Sequence, residues 1–298
     1  MKKPLGILTD SHSSVDPAEA KRLGVRVLPM PFMINGETFM ENVTLSREEF
    51  FARQAEGAEI GTSQPAPGDV LAFWDEALED YEQILYFPLT SGLSGACQTA
   101  QMLAQEEPYA GKVFVVDNGR IASPQHQAIL DALALVEEGH SAQDIHAAME
   151  SSRDDVVIYL GVQTLEYLKR GGRLSPTVAT VGTLLNIKPI LKLATGKLES
   201  FKNTRGFHKA KSTMLEAIRS DLSIRFKDAH ARGDVRLLAA GSAGDEETAA
   251  WLKEIEAAFP GMPILYDPLS LGVSCHTGPG ALGVGLSVTP RLPKEAEA

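Results

Sequence analysis

The most constraining stretch of this chain lies at residues 83–100. An apolar run, Gln83–Phe87 (Q-I-L-Y-F), stops at Pro88, and T-S-G-L-S-G-A-C-Q-T-A follows from Thr90. A short apolar run without alternation reads as a strand buried on both faces. The Ala/Gln-rich segment behind it favours a helix. A strand–turn–helix unit of this kind belongs in a parallel sheet whose faces helices cover. The turn itself holds two serines and two glycines. The first N–H groups of a helix lack internal partners and carry partial positive charge, and glycine lets a ligand approach the backbone. Ser91, Gly92, Ser94 and Gly95 therefore read as an anion site. Ser94 taken alone reads equally as an ordinary helix cap. A cap, however, needs neither a second serine nor a second glycine.

The same alternation runs through the first half of the chain. Leu5–Thr9 reads as a strand ending at Asp10-Ser11, Pro17–Leu23 as a helix and Val25–Pro31 as a strand. Asp10 and Ser11 sit where open parallel sheets bind ligands, or else cap the next helix. Phe32–Thr44 reads as a hairpin turning at Asn35-Gly36, and Ser46–Glu49 as a capping box. Gly61-Thr62-Ser63-Gln64-Pro65 reads as a loop between helices, with Pro65 holding Gln64 extended. By itself it is a polar entry to the helix Pro67–Asp80. Lys112–Asp117 is expected as a strand, and Ser123–Glu138 and Ser141–Glu150 as helices, with His126, His140 and His146 on the surface. Val156–Leu160 is expected as the last strand of the parallel sheet.

The pattern then changes. Leu165–Ser175 and Pro176–Leu185 read as helices, and Lys188–Leu193 and Gly196–Lys202 as strands joined at Thr195-Gly196. A helix over Gly206–Phe226, a strand at Val235–Ala240, a helix over Asp245–Phe259 and strands at Pro263–Tyr266 and Leu282–Val288 follow. The tail from Pro290 is expected to fray. The expected fold is α/β with two domains: residues 1–160 with a parallel sheet flanked by helices, and residues 161–298 as an α+β domain.

Charge narrows the function classes. The net charge of −11 argues against nucleic acid and against an anionic membrane surface as partners. No apolar run approaches the roughly 20 residues that span a bilayer, and the N-terminus has no signal-peptide pattern. Two cysteines, Cys97 and Cys275, make no disulfide framework, and no histidine stands at metal-ligand spacing. No metal and no cofactor are expected, and the cytoplasm is the expected compartment. Residues 187–211 nevertheless carry seven Lys or Arg against Glu199 alone, a charge of +6, which leaves −17 for the rest. Such a patch is either a solvated face or a surface that steers an acidic partner.

Six short stretches occur in order: T-D-S at Thr9–Ser11, G-T-S-Q-P at Gly61–Pro65, S-G-L-S-G at Ser91–Gly95, G-G-R-L-S at Gly171–Ser175, N-I-K-P-I at Asn186–Ile190 and H-T-G-P-G at His276–Gly280. Together they resemble the DegV family of bacterial fatty-acid-binding proteins, the acyl-carrying subunits of fatty acid kinase. The resemblance spans about Pro4 to Val288. It implies a non-enzymatic carrier with a long-chain fatty acid buried between two domains. It also implies that Thr62 and Ser94 hold the carboxylate, with His276 nearby. Asp10, Ser11, Ser63, Ser91, Gly92, Gly95 and Arg173 become candidates for lining the pocket. The acid would be presented to an ATP-dependent kinase subunit that makes the acyl phosphate for phospholipid synthesis. Arg205, with Lys202 beside it, would dock that kinase, and contact with membranes would be transient. Two departures stand out. Ala96-Cys97 replaces a common Thr-Tyr, and His12 stands where a small hydroxyl residue is common.

The rival reading is a serine hydrolase using Ser94 and His276, whose chain order fits an α/β-hydrolase. A nucleophile elbow would need glycine at position 96, where this chain has Ala96. A phosphate-cradling enzyme is less supported, because neither G-x-x-x-x-G-K-[ST] nor a G-x-G-x-x-G after a strand is present.

Overall fold

The computed structural model describes residues 2–41, 43–174, 186–194 and 196–292. The helix expected at Pro176–Leu185, Ser175, the turn residue Thr195 and the end of the tail lie outside these residues. In chain order the strands are β1 (Lys3–Asp10), β2 (Arg26–Leu28), β3 (Pro31–Ile34), β4 (Glu37–Met40), β5 (Ile60–Thr62), β6 (Tyr81–Phe87), β7 (Val113–Val115), β8 (Val156–Gly161), β9 (Ile187–Ala194), β10 (Lys197–Arg205), β11 (Val235–Gly241), β12 (Ile264–Pro268) and β13 (Leu282–Val288). The helices are α1 (Pro17–Leu23), α2 (Arg47–Ala55), α3 (Pro67–Asp80), α4 (Ala96–Leu103), α5 (Ser123–Glu137), α6 (Ala142–Ser151), α7 (Glu166–Arg170), α8 (Phe207–Ser223), α9 (Lys227–Ala231), α10 (Asp245–Ala258) and α11 (Leu271–Thr277).

The first sheet runs β2-β1-β6-β7 and is parallel throughout. Successive side chains of its central strands point to opposite faces. Ile7, Leu85 and Phe87 pack with Ile129 of α5 and Met149 of α6, while Leu8, Ile84 and Tyr86 pack with Trp74 of α3 and Cys97 of α4. The hairpin β3–β4 turns at Asn35-Gly36, both in the left-handed region, as a two-residue hairpin loop requires. β5 pairs with β3, so the Gly61-Thr62 segment is a strand rather than a loop. That pairing adds a third strand to a small antiparallel sheet, β4-β3-β5.

The second sheet runs β10-β9-β8-β13-β11-β12. β8 belongs here, antiparallel to β9 and β13, and not to the first sheet as its position in the alternation suggested. Its V-V-I-Y-L run is apolar on both faces and fits any central strand. The partner is set by β13, where Gly285 leaves room for close approach: a Cβ there would stand 2.5 Å from the carbonyl oxygen of Val157. The passage from the first sheet to the second therefore precedes residue 156 rather than following residue 160.

Helices α8 and α10 cover one face of this sheet through Met214, Ile218 and Trp251. The opposite face, with Ile158, Leu160, Leu191 and Ala240, is equally apolar and meets Leu93, Ile121 and Ala122 of the first half, beside Leu168 and Leu269 of its own half. The two halves thus close on each other across this face. Helix α5 braces both. Its Ser123 hydroxyl donates to the Ala239 carbonyl at 2.7 Å, and its Gln125 amide donates to the Phe87 carbonyl at 2.8 Å. His126 is buried, with Nδ1 3.0 Å from Asp267, and His140 is buried as well; His146 is half-buried against the Val115 carbonyl. The expectation of surface histidines fails for His126 because α5 lies between the two sheets and buries it, with Asp267 as its partner.

Candidate functional site

Between the halves lies a narrow cavity of about 110 Å³. The second sheet supplies one wall through Ile158, Leu160, Leu193, Leu198 and Ala240. Met30, Leu89, Leu93, Ile121 and Ala122 supply the other. The polar lining is short: His12, Thr62, Ser63, Ser94, Arg173, His276 and Thr277.

Most of these polar groups are tied together. Thr62 ends β5, opposite Phe32 of β3. Its Oγ1 lies 2.8 Å from Nε2 of His276, which closes the last turns of α11. The ring fits because residue 171 is glycine; a Cβ there would stand 2.0 Å from His276 Nδ1. Arg173 follows and donates to the Gly171 carbonyl at 2.7 Å. Ser94 lies in the turn before α4, its hydroxyl accepting the Ala96 N–H at 3.2 Å. Its neighbour Gly95 backs onto Gln64, two residues after Thr62; a Cβ on it would be 3.2 Å from the amide oxygen. The G-T-S-Q-P and S-G-L-S-G stretches, distant in sequence, therefore meet.

Burial lowers the pKa of His276 to about 4, helped by the nearby charges of Arg173 and His12, so the ring is neutral at neutral pH. Its Nδ1 is buried without a partner. With the ring proton on Nε2 the imidazole donates to Thr62, and the threonine hydroxyl is left to donate into the cavity. For His12, burial works against the charged form. The Asp10 carboxylate, 3.5 Å from ring Nδ1, and the charge of Glu41 outweigh that burial and raise its pKa. The polar end thus offers hydroxyl donors and cations, with no Asp or Glu among the described lining residues. Such a lining suits a carboxylate.

Of the residues singled out from sequence, Thr62, Ser63, Ser94, Arg173 and His276 are on the cavity wall. Asp10, Ser11, Ser91, Gly92 and Gly95 are not; they hold the frame behind it. Asp10 is fully buried and accepts the backbone N–H groups of His12 and Leu89. Ser11 donates to Glu41 and accepts the N–H of Met30. Ser91 donates to Asp117, itself paired with Arg153 at 2.7 Å. Gly92 lies against the β9–β10 turn, where a Cβ would stand 2.1 Å from the Gly196 carbonyl oxygen. Lys202 and Arg205 are exposed on the edge strand β10. Sequence reasoning noted His12 only as a departure. Its place two residues beyond Asp10, at a strand end, was the signal that it lines the cavity.

The serine-hydrolase alternative is not supported. The Nε2 of His276 is engaged by Thr62 rather than Ser94, and among the described residues no acid orients its Nδ1. Both cysteines are free and buried, and burial pushes both thiols up, Cys275 to about 12. Among the described residues no His, Cys, Asp and Glu cluster could hold a metal, and no helix is long and apolar enough to cross a membrane.

A family model described as "Uncharacterised protein, DegV family" matches residues 4–289. A DegV domain-containing protein of Deinococcus radiodurans is 30% identical over 283 residues, covering 95% of this chain and 98% of that protein. Among solved structures, a DegV family protein from Thermus thermophilus, characterised for fatty acid binding, is 34% identical with a TM-score of 0.84, over 96% of this chain and 99% of that one. DegV of Bacillus subtilis, a fatty acid binding protein, is 26% identical with a TM-score of 0.81, over 96% and 100%. The chain belongs to the DegV family.

Proposed function

We propose that the protein is a non-enzymatic carrier that buries one long-chain fatty acid between its two halves and exposes the carboxyl end to an ATP-dependent kinase subunit. The observation that carries this reading is a cavity apolar along both walls whose polar lining holds hydroxyls, a neutral imidazole and cations but, among the described residues, no acid. The fatty-acid binding of the relatives from Thermus thermophilus and Bacillus subtilis supports it. The tail supplies affinity at about 0.8 kcal/mol per buried methylene, and the head contacts fix which end leads. Thr62 and Ser94 donate to the carboxylate, and His276 orients the Thr62 hydroxyl. The two halves act as two domains that close over the ligand, the second being α+β. The basic edge around Lys202 and Arg205 docks the kinase subunit, which makes the acyl phosphate. The carrier works in the cytoplasm and touches membranes only transiently.

The test is native mass spectrometry of the purified protein, followed by extraction and identification of lipid. One fatty acid per chain is the expected result. A lipid-free protein that also takes up no added fatty acid would sink the reading.

A further inference from the structure

We propose that His12 is a second cationic anchor for the ligand head, an imidazolium which, with Arg173, makes the cavity prefer an anionic head over a neutral one. The proposal rests on the carrier reading and goes beyond it in naming what selects the charge of the head.

Three observations carry it. His12 lines the cavity although only 6% of it is exposed, so its charge acts in a poorly hydrated place. Its orientation is set from behind. The Asp10 carboxylate accepts the His12 backbone N–H at 2.9 Å and stands 3.5 Å from ring Nδ1. The opposite edge of the ring is turned to α11, where Gly272 leaves it room: a Cβ on residue 272 would stand 2.6 Å from Nε2. Gly272 is one helical turn before His276, so the His12 ring lies beside the Thr62–His276 pair. Finally, no carboxylate among the described residues lines the cavity to cancel the cation from the front.

The charged groups around the ring are Asp10 of β1, Glu41 after β4, Arg173 after α7 and His276 of α11. Glu41 is buried and bonded to Ser11, with burial raising its own pKa. The two acids favour the imidazolium, Arg173 opposes it, and His276 is neutral above about pH 4. The sign follows. A pKa raised above 6.5 keeps His12 charged at and below that value, and the charge is lost as pH rises through the raised pKa. Anion binding therefore weakens toward alkaline pH.

The experiment uses the full chain stripped of lipid and three radiolabelled probes: hexadecanoate, hexadecan-1-ol and hexadecane-1-sulfonate. Binding is measured from about pH 5.5 to 8.5, across the window where histidines titrate. The sulfonate keeps its charge throughout, so its pH dependence reports the protein. In the wild type the sulfonate is expected to lose about tenfold in affinity across the range, while the alcohol changes little. In His12→Gln the acid-to-alcohol affinity ratio falls about tenfold and the sulfonate profile flattens, with a cooperative melting transition certifying the fold. An unchanged ratio and an unchanged slope in that variant overturn the proposal. If the variant does not fold, a flat wild-type sulfonate profile overturns it just as well. A wild type that takes up none of the three probes overturns the carrier reading instead.

Discussion

Thr62 is tied to the polar end of the cavity by one bond, 2.8 Å to His276 across 214 residues of sequence. Thr62→Val keeps the shape and removes the hydroxyl. On the carrier reading the carboxylate then loses a charge-assisted hydrogen bond, worth about 2 kcal/mol or roughly thirtyfold in affinity. The half-buried imidazole also loses its partner. Fatty-acid affinity is expected to fall by that factor while fatty-alcohol affinity falls less, as read by equilibrium binding. A threonine that serves only to hold His276 would instead lower both affinities alike. The family resemblance, and not any one motif, pointed to Thr62, Ser94 and His276, and it did not say how Thr62 and His276 meet. The loop around Thr62 by itself read as a helix entry. Its role depends on a strand pairing and on the absence of a side chain at Gly171, neither of which is local. Asp10 and Ser11 were placed at the right strand end, yet backbone N–H groups and Glu41 absorb their polar atoms, and His12 takes the cavity side.

At the scale of elements, the edge hairpin β9–β10 carries two kinds of surface in one piece of structure. Leu198 faces the cavity, while Lys202 and Arg205 are exposed. Lysines on an edge strand also guard against strand pairing with other chains, so their role needs a test that lipid binding does not answer. Lys202→Glu/Arg205→Glu is expected to retain its fatty acid and to lose at least tenfold in kcat/KM for acyl-phosphate formation with a kinase subunit and ATP, trapped with hydroxylamine. Wild-type turnover at physiological salt would place the docking surface elsewhere. Most elements were legible where local chemistry decides them. The Ser46 box, the Pro67 start and the Asn35-Gly36 turn predicted α2, α3 and the first hairpin. Three were not. β5 is three residues long and exists through its pairing with β3. α11 contains Gly272 and Val273, poor helix formers, and is held by Ser270 capping the Val273 N–H and by contact with α7. β8 announced burial correctly, but sheet membership is a property of its neighbours.

For the whole molecule, the decisive feature is that the second apolar face of the second sheet is covered only in part by its own short helix α7, through Leu168. The rest meets the first half of the chain, through Leu93, Ile121 and Ala122, and, on the carrier reading, the ligand's tail. A ligand that binds only the folded state stabilises it by about 2.7 kcal/mol at a hundredfold excess over Kd. For a domain of roughly this size each kcal/mol moves Tm by about 2–4 °C. Stripping the lipid is therefore expected to lower Tm by about 5–10 °C, and adding fatty acid back to restore it. The transition should nevertheless stay single. α5 is buried over most of its length and bonds to both sheets, through Gln125 to Phe87 on one side and through Ser123 and His126 to Ala239 and Asp267 on the other. Neither sheet can lose its contacts to α5 without exposing core of the other. Calorimetry of loaded and stripped protein checks both statements. Two separate transitions in the stripped form would mean that the ligand, and not α5, joins the halves. An unmoved Tm after verified removal of lipid would mean that the seam is closed by protein alone.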